Sequence, residues 1–236
     1  FTFNDSDGAF ERSYTFAQYE NDCPAGDFEL LISETKGGRA TRLLFDAAPG
    51  LSATLSGPYG RLVLPSEGRR LFLVATSAGL APYLPMLHSL EQSTSVPFES
   101  VHLLFGVRSP VECLFRPWLD DLASSHAWFD WEVFYSQSLP SKPAMNEHQG
   151  YVTSGLQDPA KFDPAQDWVL LCGNPMMVDE GFALMKERGF KSKRIIREKY
   201  LFARQERKVS DLKMSGADRA LLQAKMARYQ AVPDPD

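Results

Sequence analysis

The sequence predicts a two-domain β plus α/β protein, in which an antiparallel barrel is followed by a doubly wound parallel sheet. Short alternating segments between glycine and proline turns occupy residues 1–68, a pattern typical of antiparallel strands. Residues 69–202 instead alternate continuous apolar strands with helical segments, which is typical of a parallel sheet covered by helices. A helical tail at 203–236 completes the expected organisation.

Composition limits the classes of protein to consider. The 236 residues are 44% hydrophobic and 23% charged, which is ordinary for a globular protein. No apolar run approaches the ~20 residues that a membrane-spanning helix needs. The three cysteines are widely separated and form no CxxC pair, which argues against a disulfide scaffold, a structural zinc site or an iron–sulfur cluster. We therefore expect no metal, no membrane span and a reducing, cytoplasmic setting; no signal peptide is visible at Phe1.

The first 68 residues contain the predicted antiparallel strands, separated by turn-forming glycines. The pair Gly37-Gly38 is followed by small and hydroxyl side chains, which indicates a helix start with exposed amides; a plain hairpin turn is the alternative. The predicted strands are Phe10–Ala17, Asp27–Glu34, Ser52–Leu55 and Leu62–Leu64.

Residues 69–202 contain five predicted buried strands with helices between them. Ligands of such sheets bind beyond the carboxyl ends of the strands. Pro140–Gly150 is expected to be a loop, and in the tail Ser210 is expected to cap a helix that runs to about Tyr229. The predicted strands are Leu71–Thr76, Val101–Val107, Trp131–Ser136, Trp168–Cys172 and Ile195–Tyr200, and the predicted helices are Ala81–Leu90, Pro117–Ser124 and Met176–Arg188.

A first chemical pattern lies in the strand around residues 12–16. Alternation places Arg12, Tyr14 and Phe16 on one face, and Ser13 and Thr15 on the other. A guanidinium, an aromatic ring and a hydroxyl suit a flavin nucleotide, because they can pair with its pyrophosphate, pack on its ring and hydrogen-bond its edge. The same pattern also occurs on an ordinary half-exposed strand.

Two small-residue turns lead from buried strands into helices. Thr76–Pro82 contains Gly79 and can cradle the pyrophosphate of a dinucleotide, although it is not a GxGxxG fingerprint. Cys172–Pro175 follows a later strand, where Gly173 permits close approach of a ring and Pro175 suits the first helical position. Cys172 is alternatively a plain buried cysteine at a strand end.

The order of these segments resembles the ferredoxin–NADP(H) reductase superfamily, especially its bacterial members, over about residues 1–202. Each motif is short and weakly specific by itself, whereas six in the family's order and spacing are strongly specific. The matching segments are Arg12–Thr15, Gly38–Thr41, Gly57–Gly60, Thr76–Pro82, Leu104–Arg108 and Cys172–Pro175.

The resemblance implies a Greek-key FAD-binding barrel followed by an NAD(P)-binding domain. It places Tyr14 against the flavin ring, Thr15 near the hydride-accepting nitrogen, and Cys172 beside the nicotinamide as a positioning residue. On this resemblance, Thr15 and Cys172 are expected to be the catalytic residues, and FAD and NAD(P)H are the expected cofactors. The expected cofactor-binding residues are Arg12, Ser13, Tyr14, Thr15, Gly38, Arg39, Ala40, Thr41, Thr76, Gly79, Pro82, Arg108, Cys172, Gly173, Asn174, Pro175 and Tyr200.

The chain also departs from the family pattern. Ser77 and Ala78 replace a usual glycine and threonine, so the nucleotide turn is less open and lacks one hydroxyl. Phe1 aligns near the middle of the family's usual flavin domain, so early barrel strands are expected to be missing. Tyr200 and Phe202 are the candidates for the aromatic residue that covers the flavin in the family.

The choice between NADH and NADPH depends on arginines, because a 2′-phosphate favours bidentate pairing with guanidinium. Arg108 follows the Phe-Gly-Val strand and can reach such a phosphate. Gln137, however, stands where NADPH-using relatives often carry arginine, and Gly150–Val152 resembles NADH-using relatives. The balance favours NADH.

The resemblance therefore implies an enzyme that passes a hydride from NAD(P)H to FAD and then electrons to a ferredoxin or flavodoxin. Alternatives are the reductase component of a monooxygenase or dioxygenase system, and a flavin-binding electron-transfer or regulatory subunit without NAD(P)H activity. The basic stretch Lys186–Lys208 is a candidate dock for the acceptor, or simply a solvated face. The net charge of −5 argues against nucleic acid.

Overall fold

The computed structural model describes residues 1–19, 26–35 and 37–200, with the side chain of residue 19 left aside. The described elements are ten strands and four α-helices, joined by short 3₁₀ turns. The strands are β1 (Thr2–Asp5), β2 (Gly8–Glu11), β3 (Phe16–Tyr19), β4 (Phe28–Leu30), β5 (Arg70–Thr76), β6 (Ser100–Val107), β7 (Phe129–Tyr135), β8 (Glu147–Gln149), β9 (Trp168–Gly173) and β10 (Ile195–Lys199), and the helices are α1 (Arg39–Asp46), α2 (Tyr83–Glu91), α3 (Arg116–Ser125) and α4 (Pro175–Glu187).

The larger sheet has six parallel strands in the order β10-β9-β5-β6-β7-β8. Alternate residues of β5 enter two separate cores: Leu71 and Leu73 pack with the apolar sides of α2 and α3, and Phe72 and Val74 pack with α4. Helices therefore cover both faces, as expected for parallel strands that are apolar throughout. The fold class is confirmed: short antiparallel strands precede a doubly wound parallel sheet.

The sixth strand, β8, corrects the expected number of five. It lies inside the stretch Pro140–Gly150, which the sequence analysis assigned to a loop. Its sequence, Glu-His-Gln, has no apolar pattern, and it pairs with β7 at the edge of the sheet. The buried Glu147 carboxylate accepts hydrogen bonds from the Tyr135 hydroxyl and from Arg116. Tertiary contacts therefore hold this strand in place, and strand propensity alone could not have predicted it.

The described antiparallel strands pair as two separate ladders, β1 with β2 and β3 with β4. The expected continuous strand Phe10–Ala17 is therefore wrong, because residues 12–15 leave one ladder before the chain enters the other. Only Thr54 of the expected strand Ser52–Leu55 pairs, in an isolated bridge with Thr2. The expected strand Leu62–Leu64 is irregular; Leu62 and Leu64 instead pack against the core of the parallel sheet.

The predicted helices of residues 69–202 are present within two residues of their expected bounds, as α2, α3 and α4. The expected helix start near Gly38 is confirmed by α1. The expected tail helix from Ser210, together with Phe202 and Cys23, lies outside the described residues. Within the part of the chain described, no helix has both the length and the apolar character to cross a membrane.

Candidate active site

The turns after β5 and β9 pack tightly against each other at the carboxyl edge of the sheet. The Asn174 amide donates to the Thr76 hydroxyl at 2.8 Å. A Cβ atom on Gly79 would collide with the Cys172 carbonyl oxygen and lie 2.7 Å from the Gly173 Cα. Gly173 itself adopts a φ of +124°, which favours glycine. The predicted nucleotide-binding turns are thus held together by backbone contacts that a larger residue would disrupt.

Three predicted site residues meet beside these turns. The Tyr200 hydroxyl donates to the Thr15 hydroxyl at 2.8 Å, although 185 residues separate them along the chain. The Tyr200 amide donates to the carbonyl of Gly173, the residue after Cys172, at 2.8 Å. This contact joins the N-terminal strands to the end of the parallel sheet.

Burial determines the chemical state of this cluster. Burial raises the pKa of the Cys172 thiol to about 12, and it also raises the pKa of Tyr200 above its usual range. Cys172 therefore remains a neutral thiol near pH 7 and is a poor nucleophile. This state fits its expected role as a positioning residue.

Glu198 is a further member of this cluster, and no sequence motif identifies it. It pairs with Cys172 across β10 and β9, and it is half-buried, so burial raises the pKa of its carboxyl group. A Cβ atom on Gly60 would lie 3.6 Å from its Oε2. Strand alternation could have identified it, because Glu198 stands between Ile196 and Tyr200, which both pack against the core.

The segment between β2 and β3 carries the predicted flavin-binding side chains. The Arg12 guanidinium donates a hydrogen bond to the Glu11 carbonyl, and in the described part of the chain Arg12 has no carboxylate partner. The Tyr14 ring packs edge-on against Phe1 at 5.9 Å and is half-buried. Ser13 is exposed. Arg12 therefore remains able to pair with an anionic group.

At the start of α1, the backbone amides and the side chains differ in whether they are available to a ligand. Its first amides lack partners within the helix, so they can bind a phosphate. The Arg39 guanidinium, however, pairs with the Asp5 carboxylate and bonds the Gly8 carbonyl at 2.8 Å. The Thr41 hydroxyl donates to the Thr35 carbonyl at 3.0 Å and is buried, like Ala40. Amides of this turn are therefore better candidates for pyrophosphate binding than the Arg39 or Thr41 side chains.

Arg108 follows β6 at the carboxyl edge, two residues after Gly106, which pairs with Thr76. Its Nη2 and Nε contact the two carboxylate oxygens of Glu112 at 2.8 and 3.1 Å, and this pairing raises the pKa of Arg108. The backbone carbonyl of Arg108 accepts a hydrogen bond from the amide of the exposed Gln137 at 2.9 Å.

Two further predicted site residues lie at the starts of helices. Pro82 is buried and precedes α2. Asn174 caps α4, because its side-chain oxygen accepts a hydrogen bond of 2.8 Å from the Met176 amide.

The structure therefore brings together Thr15, Cys172 and Tyr200 with the two turns, and Arg108 follows β6 at the same edge, where Gly106 pairs with Thr76. The arrangement fits FAD and a pyridine dinucleotide: Arg12 and the amides at the start of α1 suit a pyrophosphate, and the glycines let the two turns lie close together. Among the described residues, no group of His, Cys, Asp and Glu side chains could hold a metal ion.

Comparison with known families agrees with this arrangement. Residues 2–64 match the oxidoreductase FAD-binding domain family, and residues 73–180 match the oxidoreductase NAD-binding domain family. The two matches follow each other along the chain in the order of the antiparallel strands and the parallel sheet.

Individual relatives show the same relationship. The chain is 39% identical over 126 residues to the ferredoxin–NAD(+) reductase component of an alkene monooxygenase system from Xanthobacter autotrophicus, covering 52% of this chain and 37% of that protein. It is 29% identical over 191 residues to the toluate 1,2-dioxygenase electron transfer component of Pseudomonas putida, covering 80% of this chain and 54% of that protein. The chain thus spans about half the length, or less, of these relatives.

A solved structure confirms the similarity of fold. The crystal structure of a cytochrome P450 reductase from Amycolatopsis superposes with a TM-score of 0.67 at 26% sequence identity. The similarity covers 84% of this chain and 58% of that protein.

Proposed function

The chain belongs to the ferredoxin–NADP(H) reductase superfamily, and on that premise we propose that it passes a hydride from NAD(P)H to FAD and then electrons to a separate acceptor. The observation that carries this proposal is the contact of Thr15 with Tyr200 beside Cys172. It places predicted flavin-binding and nicotinamide-binding residues at one point on the molecule, where the two ligands have to meet.

Each group in the cluster has a role in this proposal. Bound FAD would supply the electron-accepting ring, so the protein has mainly to orient its ligands. Arg12 and the amides at the start of α1 would bind the FAD pyrophosphate, with Tyr14 against the ring. The turn around Gly79 would hold the pyridine nucleotide, and the neutral Cys172 thiol would position the nicotinamide. Tyr200 would hold the Thr15 hydroxyl in place and cover the site.

We also propose the domain boundaries that the sequence predicted: an FAD-binding domain at 1–68, an NAD(P)-binding domain at 69–202 and a tail at 203–236. The two family matches support the first boundary, because the match to the FAD-binding family ends at residue 64 and the match to the NAD-binding family begins at residue 73. A cytoplasmic setting is part of the same proposal, supported by the free, buried thiols of Cys113 and Cys172.

NADH is the preferred nucleotide in this proposal. The Glu112 carboxylate already forms a salt bridge with the guanidinium of Arg108, which is the residue expected to bind a 2′-phosphate. A 2′-phosphate would have to displace that carboxylate and would be repelled by it, whereas the 2′-hydroxyl of NADH could donate a hydrogen bond to it.

The proposed acceptor is the oxygenase component, or its ferredoxin, in a monooxygenase or dioxygenase system; a flavodoxin is the other candidate. The similarity to named reductase and electron transfer components of such systems supports this choice. The basic stretch Lys186–Lys208 is the expected docking surface for this acceptor, and its described residues give little support to that role. Lys191 and Lys193 precede β10, at the amino edge of the sheet, whereas Cys172 lies at the carboxyl edge. Lys199 stands opposite Gly173 at the carboxyl edge, but it pairs with Asp179 at 2.6 Å.

The test is anaerobic stopped-flow of the FAD-loaded protein after mixing with NADH or NADPH, following flavin absorbance near ~450 nm, an approximate wavelength for oxidised flavin. We expect rapid bleaching by NADH and slower bleaching by NADPH. If the protein binds FAD but neither nucleotide bleaches it, the second candidate function applies: a flavin-binding electron-transfer or regulatory subunit. Ser77 and Ala78, which replace the usual glycine and threonine of the nucleotide turn, favour that candidate.

A further inference from the structure

The nucleotide turn contains a residue in an unfavourable backbone conformation. Ser77 immediately follows β5 and adopts a φ of +51°, in the left-handed region that favours glycine. Of the described residues, only Phe115 is another non-glycine residue with a positive φ. A side chain that persists in such a conformation is usually held there by its surroundings, and such sites concentrate where ligands bind.

The side chain of Ser77 has a partner far away in the chain. Its Oγ lies 2.9 Å from the Oγ of Ser33, 44 residues earlier, in the segment that follows β4. Ser33 thus belongs to the proposed FAD-binding part and Ser77 to the proposed nucleotide-binding part. Ser77 is exposed and Ser33 is half-buried, so the bond between these two parts of the chain lies at the protein surface.

The neighbours of Ser77 hold the rest of the turn to the sheet. Thr76 accepts a hydrogen bond from the Asn174 amide, and Gly79 packs on the Cys172 carbonyl. The Ser33 hydroxyl in turn connects the outer corner of this turn to the segment that follows β4. One hydroxyl of the pair donates to the other, so one O–H remains available to an acceptor such as a phosphate oxygen.

We propose that Ser33 and Ser77 form a latch that positions the nucleotide turn against the flavin-binding segment, so that both serines are positioning residues for the pyridine nucleotide. The proposal rests on the proposed function, because it presumes that this turn binds NADH. It explains why a serine stands where glycine would avoid the backbone strain: the hydroxyl reaches across the junction, and glycine has none.

The test compares Ser33→Ala, Ser77→Gly and the double variant, all FAD-loaded, with wild type. Ser124→Ala is a matched control, because Ser124 is also exposed and makes one hydrogen bond, to the Asp121 carbonyl at 2.9 Å. The measurements are the dissociation constant of NAD⁺ by calorimetry, the rate of flavin bleaching at saturating NADH, and the midpoint of thermal unfolding.

Loss of one hydrogen bond should weaken NAD⁺ binding by about three- to tenfold in each single variant. The double variant should be no weaker than the singles, because both substitutions remove the same contact. Ser77→Gly separates positioning from stability: relief of the strained φ should leave its unfolding midpoint unchanged or higher while its NAD⁺ affinity falls.

Ser77→Gly binding NAD⁺ as tightly as wild type, or more tightly, would overturn the latch. Additive effects in the double variant would also overturn it, because the two serines would then act separately. If wild type is bleached by NADH and all serine variants match Ser124→Ala, only the latch is wrong. If wild type does not bind NAD⁺ at all, the latch and the proposed function both fail.

Discussion

At the scale of single residues, the carboxyl edge combines groups whose protonation is set by burial. Cys172 and Tyr200 stay neutral near pH 7 because burial raises the pKa of each group. Glu198 beside them is half-buried, and burial raises the pKa of its carboxyl group as well. Glu198 is therefore the member of this cluster whose charge is most sensitive to mildly acidic pH.

We predict that Glu198→Gln makes the stability of the FAD-loaded protein less dependent on pH. A raised pKa means that the folded protein binds more protons than the unfolded chain in the window just above pH 4.5, the usual value for glutamate. The wild-type protein should therefore lose stability as pH rises through this window, because the half-buried carboxyl group then ionises. Thermal unfolding from pH 4 to 7 measures this, and identical slopes for variant and wild type would contradict the prediction.

A second residue-scale prediction concerns nucleotide preference. Glu112→Gln removes the carboxylate that occupies the Arg108 guanidinium, so a 2′-phosphate should gain a partner and lose a repulsion. We expect the ratio of kcat/KM for NADPH to that for NADH to rise about tenfold. The control is Glu99→Gln, which breaks an exposed pair with Arg69 at 3.3 Å. An unchanged ratio in Glu112→Gln would exclude this role.

At the scale of elements, the strands that the sequence predicted best are the buried ones. The strands β5, β6 and β9 are mainly apolar and bounded by turns, so hydrophobic pattern alone located them. The strand β8 and the break between β2 and β3 escaped prediction, because each depends on which partner strand lies alongside. Glycines at the ends of β5 and β9 then decide how closely the two turns pack.

We predict that Gly79→Ala abolishes nucleotide binding while the protein still folds and retains FAD. The added Cβ would meet backbone atoms of Cys172 and Gly173, which cannot rotate away, so the turn has to move. Overpacking of this kind costs about 1–3 kcal/mol of stability. NAD⁺ titration and chemical unfolding would measure both effects.

The matched control for this substitution is Gly181→Ala in α4. Its Cβ would meet the side chains of Leu171, at 3.0 Å, and Leu156, at 3.4 Å, and alanine favours a helix more than glycine does. We expect it to leave NAD⁺ affinity unchanged. Equal NAD⁺ affinities of the Gly79 and Gly181 variants would show that the close packing of this turn is not required for binding.

At the scale of the whole molecule, the two edges of the parallel sheet have different tasks. The carboxyl edge carries the candidate site. At the amino edge, the carboxylate of the fully buried Asp167 forms a salt bridge of 2.7 Å with the Arg70 guanidinium. It also accepts a hydrogen bond of 2.6 Å from the backbone amide of Asp163. This pair joins the start of β5 to the segment before β9, so it contributes to folding and lies away from the site.

We predict that Asp167→Asn lowers the free energy of unfolding by about 3 kcal/mol without changing flavin bleaching by NADH. Removal of one partner leaves the Arg70 charge partly buried and unpaired, which is strongly destabilising. Denaturant unfolding measures the first effect and stopped-flow the second. A slower bleaching rate in a fully folded Asp167→Asn protein would show that the two edges are coupled.

Local sequence patterns were sufficient to predict the fold class, the order of the two parts and the residues Thr15, Cys172 and Tyr200 that meet at the carboxyl edge. Apolar periodicity reports burial, and glycine, proline and hydroxyl residues mark turns, so both can be interpreted locally. Only the tertiary structure decided that Glu198 joins Cys172, that Glu112 occupies Arg108, and that Ser33 meets Ser77. The physical reason is that side-chain partners are chosen by strand register and by the packing of turns, which bring residues together that no local pattern relates.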